Sequence, residues 1–293
     1  MKGRVAVITA GWQEREAEDN QLVDHLGGTA INLSLHARGE AVFRDDPALR
    51  DAHRAHHAAL RHRQDFYRIR LEHLLEADRV IAQRDAPPDI QAEQAEASRD
   101  AIRDLDQWHL NLCTRLRAEF DAAWALHTRP AVAEQRAELA AILADCEAVA
   151  IAGGHVATLI NRLRLFGVEA MLTGRVLFAW SAGAMALSER VVLFHDDPPQ
   201  GPEVTEVLDA GLGLARGVVV LPEPERRLHL DDVARVHRLV RRFAPARCLA
   251  FPARAWVCWD GSGPTEPLLG QGVVALHPDG TYGPLASAPE GPA

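Results

Sequence analysis

The sequence predicts an α/β protein with a mostly parallel sheet and a long helical-hairpin insertion. Three observations carry this. Short β-branched runs alternate with amphipathic helical stretches at both ends of the chain. Gly11, Gly153, Ser181 and His195 all fall where those runs stop. Residues 47–146 between them carry almost no turn signals and are rich in Ala, Arg, Glu, Leu and Gln.

The elements run in order along the chain. Residues 4–9 read as a buried central strand ending at Gly11, and 29–35 as a second strand. Leu60, Tyr67, Leu71, Leu74 and Ile81 then recur at helical spacing, until Pro87-Pro88 breaks the pattern. Ile102, Leu105, His109, Leu112, Leu116 and Ala123 form a second series. A helix of roughly 30 residues is about 45 Å long, longer than the sheet it would cover. Residues 47–127 are therefore expected to project as an antiparallel helical hairpin from one α/β domain spanning 1–293. The hairpin would pack on a partner subunit, giving a homo-oligomer, or lid the site. A third helix begins after Pro130, with Leu139, Leu143 and Cys146 on one side.

The second half resumes the alternation. Residues 148–152 read as a strand and 156–166 as a helix. Residues 176–180 are a strand and 181–188 a helix. Short strands come next at 191–194 and 217–221, then a helix at 230–243 with Val233, Val236, Val240 and Phe243 on one face. Residues 248–251, 255–259 and 273–277 close the chain as a meander. Ligands of such folds bind at the carboxyl ends of the strands.

The 293 residues, nearly half of them apolar, can bury a substantial core. A net charge of −9 lacks the electrostatic footprint of a nucleic-acid binder. Apolar runs are too short to span a bilayer, and the first residues lead directly into a strand, so no secretory signal is expected. Cys113, Cys146, Cys248 and Cys258 are scattered without metal-ligand spacing, which fits reduced thiols and a cytoplasmic location. His53 and His57 have the i, i+4 spacing of a metal pair but lack a third ligand at a matching offset, so no metal is expected.

The chemistry concentrates at Ala179-Trp180-Ser181-Ala182-Gly183. A serine among small residues, between a strand and a helix, is the form of a nucleophile elbow, or of an ordinary tight turn. A bulky neighbour would clash in a strained turn that holds the hydroxyl over the sheet edge. The helix behind it would offer the N–H of Ala182 to an oxyanion. Gly153-Gly154-His155 opens another helix after a strand and is a candidate for the second half of that oxyanion hole. It lacks GxGxxG spacing, and no cofactor is implied. His195 and Asp196 come after the 191–194 strand and offer a base and its orienting carboxylate. Adjacent residues of an extended chain point apart, so the two do not both face the serine. Glu14 and Glu16, after the first strand, would bind a substrate amine or complement a helix dipole.

The Gly153-Gly154 loop, the Trp180-Ser181-Ala182-Gly183-Ala184 turn, Asp196 and the Gly211-Leu212-Gly213-Leu214 segment resemble the dipeptidase E and cyanophycinase serine peptidases, over residues 147–245. That family has the class I glutamine amidotransferase-like fold. The resemblance implies a three-layer flavodoxin-like sandwich and a nucleophile at Ser181. It also implies a carboxylate role for Asp196 and oxyanion contacts from Gly154 and Ala182. Glu223 stands where the family has its catalytic histidine, and His229 lies six residues further on. His195, or His155 in the glycine loop, would then be the base, with Asp196 or Glu223 orienting it. The expected activity is serine-type hydrolysis of a peptide or other small amide. The alternative is an inactive relative that binds a small ligand and assembles through its helices. A glutaminase is not expected, since that reaction in this fold uses cysteine.

Overall fold

A computed structural model describes residues 3–194, 205–259 and 270–285. Its strands and helices run β1 (Arg4–Ile8), α1 (Asn20–His25), β2 (Ala30–Asn32), α2 (Leu35–Asp45), α3 (Pro47–Ala82), α4 (Pro88–Trp124), α5 (Pro130–Ala144), β3 (Cys146–Ile151), α6 (Val156–Leu165), α7 (Val168–Leu172), β4 (Val176–Ala179) and α8 (Ala182–Leu187). They continue as β5 (Arg190–Leu193), β6 (Glu206–Ala210), β7 (Val218–Pro222), α9 (Pro224–Arg227), α10 (Val233–Phe243), β8 (Arg247–Phe251), β9 (Trp256–Val257), β10 (Gly270–Gln271), β11 (Val274–Leu276) and β12 (Tyr282–Pro284). The protein is α/β, as the alternation of patterns implies. The chain divides into two compact units, residues 1–58 with 116–187, and residues 59–115 with 188–293.

The first unit is built on a parallel sheet in the order β2-β1-β3-β4. Val5, Ala6, Val7 and Ile8 are buried, as are Val149, Ala150 and Ile151, which is why these strands read as continuous apolar runs. The chain leaves β1 for β2 on one side and then crosses to β3 on the other. The sheet's topological switch point thus lies between β1 and β3, where ligands of open α/β sheets bind.

The second unit holds a sheet ordered β12-β11-β8-β7, parallel between β7 and β8 and antiparallel elsewhere, and the antiparallel pair β5-β6. Strand β6 was not expected from the sequence. Its Glu206 and Asp209 interrupt the apolar alternation. Burial of Glu206 is tolerated because Arg68 binds it through two nitrogens, at 2.5 and 2.8 Å.

The two long helices expected over 47–127 are α3 and α4. Stacking of His56 on Phe120, stacking of Tyr67 on His109, and the bond from Gln91 to the Ile81 carbonyl have nearly constant residue-number sums. The helices are therefore antiparallel. The hairpin does not project freely, however. In the second unit its middle section packs on α10 and β6 through a buried polar cluster. Arg242 donates from Nε to Asp106 Oδ2 at 2.8 Å and from Nη2 to Asp106 Oδ1 at 2.7 Å. Tyr67 donates to Asp106 Oδ1 at 2.7 Å and accepts from the Val207 N–H at 3.1 Å. Arg242 Nη1 donates to the Thr205 carbonyl at 2.7 Å. On α10, Val236, Val240 and Phe243 are buried as expected. Val233 is exposed, and the buried surface includes Arg242 instead.

In the first unit, His53 lies against Phe43 and His57, with its Nε2 3.0 Å from that of His57. Among the described residues, no group of three His, Cys, Asp or Glu side chains could hold a metal. Burial pushes the His53 imidazole down to about 3, and the neighbouring His57, Arg162 and His56 add to the shift.

Asp106→Ala leaves a buried guanidinium without its counter-ion and is expected to cost about 3–5 kcal/mol of stability, read as a lower urea midpoint. The His53 imidazole makes stability depend on pH. The unfolded chain takes up a proton there below about pH 6.5, while the folded one resists until about pH 3. Stability should therefore fall as the pH drops through that window. His53→Gln should flatten the decline in a series of urea melts, and an unchanged slope would contradict a buried neutral imidazole.

Candidate functional site

Three strand ends define the site in the first unit. The register pairs Ile8 with Ile151 and Ile151 with Ala179, so β1, β3 and β4 finish level. Each strand gives way to a turn containing glycine or serine. A 3-10 turn over Ala10–Arg15 leaves β1, Gly153-Gly154 leaves β3, and Ser181 leaves β4.

Ser181 sits at φ +52°, a left-handed conformation uncommon for a residue with a side chain. The strained turn expected at this position is present. The turn is fixed by the Gly183 N–H on the Trp180 carbonyl at 2.9 Å and the Met185 N–H on the Ser181 carbonyl at 3.1 Å. Trp180 is tied back to the Ile151 carbonyl at 3.3 Å. Ser181 is half-buried, and its hydroxyl has no hydrogen-bond partner among the described residues.

The small residues around the serine are demanded by backbone crowding. A Cβ on Gly183 would lie 2.2 Å from the Ile151 carbonyl oxygen. A Cβ on Gly153 would lie 2.8 Å from Ser181 Cβ and 3.0 Å from its Oγ. Gly153 therefore lies directly against the serine. Gly154 adopts φ +109°, which side chains rarely tolerate, and a Cβ there would strike the Gly11 carbonyl at 2.4 Å. The Gly11 carbonyl in turn receives the His155 N–H at 2.7 Å. The N–H groups of Ala182 and Gly154 take no part in the turn and loop hydrogen bonds of the described residues. Ala182 opens α8 directly after Ser181, and Gly154 lies in the loop whose Gly153 touches the serine.

Two other candidates of the first unit, His155 and Glu16, have hydrogen-bond partners of their own. His155 is exposed and caps α6. Its Nδ1 accepts the Thr158 N–H at 3.2 Å and lies 2.9 Å from the Thr158 hydroxyl, which also accepts from Gln13 Nε2 at 2.9 Å. This imidazole is engaged with Thr158 and makes no hydrogen bond to Ser181. Glu16 is a buried structural acid. Its carboxylate accepts the N–H groups of His36 and Ala37, at 3.0 and 2.9 Å, at the start of α2. It thus serves a helix N-terminus, but that of α2 and not of the turn in which it lies. Glu14 is exposed.

Glu223 belongs to the second unit. It follows β7 at φ +55° and immediately precedes α9, and its carboxylate lies 3.5 Å from Arg227 and 3.9 Å from Arg226. His195 and Asp196 lie outside the described residues. Of the expected set, the structure brings together Ser181, Ala182, Gly153 and Gly154 as one backbone-crowded turn. Gly11, a contact of both Gly154 and His155, was not among the expected site residues. Its position at a strand end was the available signal.

Gly153→Ala is expected to displace the Ser181 side chain and destabilise the first unit by about 1–3 kcal/mol, the range for overpacking. A melting temperature equal to that of the wild type would show that the loop has room the geometry denies. No protein-family model matches the chain, and no curated protein is significantly similar to it.

Proposed function

We propose that the chain is a serine-type hydrolase acting on a peptide or other small amide. The observation that carries this reading is the left-handed Ser181, pressed against Gly153 at the end of a parallel strand and succeeded at once by α8. Such strain persists where the surroundings over-determine it, and it concentrates at functional sites. In this reading Ser181 Oγ attacks the substrate carbonyl and its proton passes to an imidazole. The N–H groups of Ala182 and Gly154 hold the resulting oxyanion. Collapse expels the amine, which takes the proton from the imidazole. Water then hydrolyses the acyl-serine. His195 is the base and Asp196 its partner. The resemblance to dipeptidase E and cyanophycinase, with their three-layer flavodoxin-like sandwich, is supported by the parallel order of the first unit and the position of its switch point. Four free thiols fit a cytoplasmic setting, and among the described residues no helix is long and apolar enough to cross a membrane.

A second reading, an inactive relative that binds a small ligand, draws on two observations. The imidazole in the glycine loop is engaged by Thr158, and Glu223, at the family's histidine position, is paired with two arginines. Assembly through the helices is supported by Phe66, Ile69 and Trp108, each about half exposed or more.

A fluorophosphonate separates the two readings. The hydrolase is expected to be labelled at Ser181, with labelling abolished by Ser181→Ala and slowed by orders of magnitude by His195→Ala. An unlabelled wild type, folded by circular dichroism, would refute the hydrolase.

A further inference from the structure

The second unit contains a cavity of about 490 Å³, within the roughly 300–1,000 Å³ typical of small-ligand sites. Its walls come from α3, α4, α10 and the loop before α10. Leu75, Ile102, Leu230, Val236 and Leu239 give it an apolar body.

Its charged groups are unevenly satisfied. Arg79 is held by Glu76, Arg99 by Glu96 and Arg242 by Asp106. Arg235 and His229 have further interactions of their own. Glu72 is exposed and keeps its water. Two groups remain. Asp78 is only 7% exposed, lines the cavity, and has no hydrogen bond or ion pair among the described residues. Arg238 is half-buried on the same cavity and is likewise without a partner there. No ion pair joins the two.

The Asp78 carboxylate meets the cavity with no protein donor on it among the described residues, so an entering cation finds it unengaged. Asp78 also stands at a position where an apolar residue would be expected. Tyr67, Leu71, Leu74, Asp78 and Ile81 succeed one another at alternating steps of four and three, so Asp78 occupies a core position in the stripe of α3. A leucine there would fill the cavity wall at no electrostatic cost. A carboxylate makes physical sense if something else supplies its donors.

We propose that this cavity binds a small zwitterion, with an amine on Asp78, an anionic group on Arg238 and an apolar body against Leu75, Ile102 and Leu239. The two opposite charges call for a ligand carrying both signs at a fixed separation. The apolar lining lowers the local dielectric and strengthens both contacts. This site does not depend on the reading of Ser181, and its test measures binding and not labelling.

The probes are ω-amino acids used as molecular rulers: 4-aminobutanoate, 6-aminohexanoate and 8-aminooctanoate. Hexylamine and hexanoate are the single-ended controls. Isothermal titration with the full chain is expected to show one aminoalkanoate binding more tightly than either control. Asp78→Asn should weaken it by about tenfold or more, the scale of one charge-assisted hydrogen bond. A cooperative thermal melt of the ligand-free variant checks that it folds. Arg238→Met should remove the preference for the aminoalkanoate over hexylamine. The proposal is overturned if no probe binds at millimolar concentration, if Asp78→Asn binds as well as the wild type, or if hexylamine binds as tightly as every aminoalkanoate.

Discussion

Asp106 and Arg242 form a bidentate pair with side chains 4% and 6% exposed, and much of the second unit is arranged around it. Two charges taken this far out of water are stable only if nearly every remaining lone pair and proton is used. The structure meets that condition through Tyr67, the Thr205 carbonyl and the Val207 N–H. Those partners come from α3, β6 and the residue before it, while the pair joins α4 to α10. One polar cluster therefore ties two long helices, a strand and a third helix together. An apolar core could have held these elements at similar cost but with less discrimination among registers. The hydroxyl of Tyr67 can reach Asp106 and Val207 together in very few alignments of α3.

The first unit depends on a different constraint, the approach of backbone to backbone at the ends of β1, β3 and β4. The Gly11 carbonyl lies where a side chain on Gly154 would be, and the Ile151 carbonyl where one on Gly183 would be. Crowding of this kind leaves one conformation for the serine turn. It places the hydroxyl of Ser181 beside the glycine loop, near the Ala182 and Gly154 N–H groups, which make no turn or loop hydrogen bond among the described residues. Stability and any chemistry here share a cause. The geometry that holds Ser181 at positive φ also leaves its hydroxyl without a hydrogen bond to any of the described residues.

Polar residues in apolar stripes connect these themes. Asp106 lies among Ile102, Leu105, His109 and Cys113, and Asp78 among Leu74, Leu75 and Ile81. Both are buried carboxylates on the hairpin helices. One has a full set of partners within the chain and organises the packing. The other has none among the described residues and faces a cavity. The same residue type at equivalent helical spacing thus serves packing in one place and leaves an open valence in the other.

The sequence by itself determined the alternation of strands and helices, the two long helices and the strand-helix turn at Ser181. Each rests on local physics: a period of two or 3.6 residues, a proline break, or small residues at a tight turn. It also placed Gly153 and Gly154 at a strand end, though it could not show that their missing side chains make room for Ser181 and Gly11. Strand β6 was illegible because Glu206 belongs inside only when Arg68, far away in sequence, neutralises it. His155 looked like a candidate base, but its ring is engaged by Thr158 one turn ahead. The hairpin was expected to project because its helices are longer than the sheet, and the Asp106–Arg242 pair that packs its middle section is not visible in either residue taken singly. Only tertiary structure could pair them, since a buried charge is tolerable in the company of its counter-ion and nothing in the local sequence names that partner.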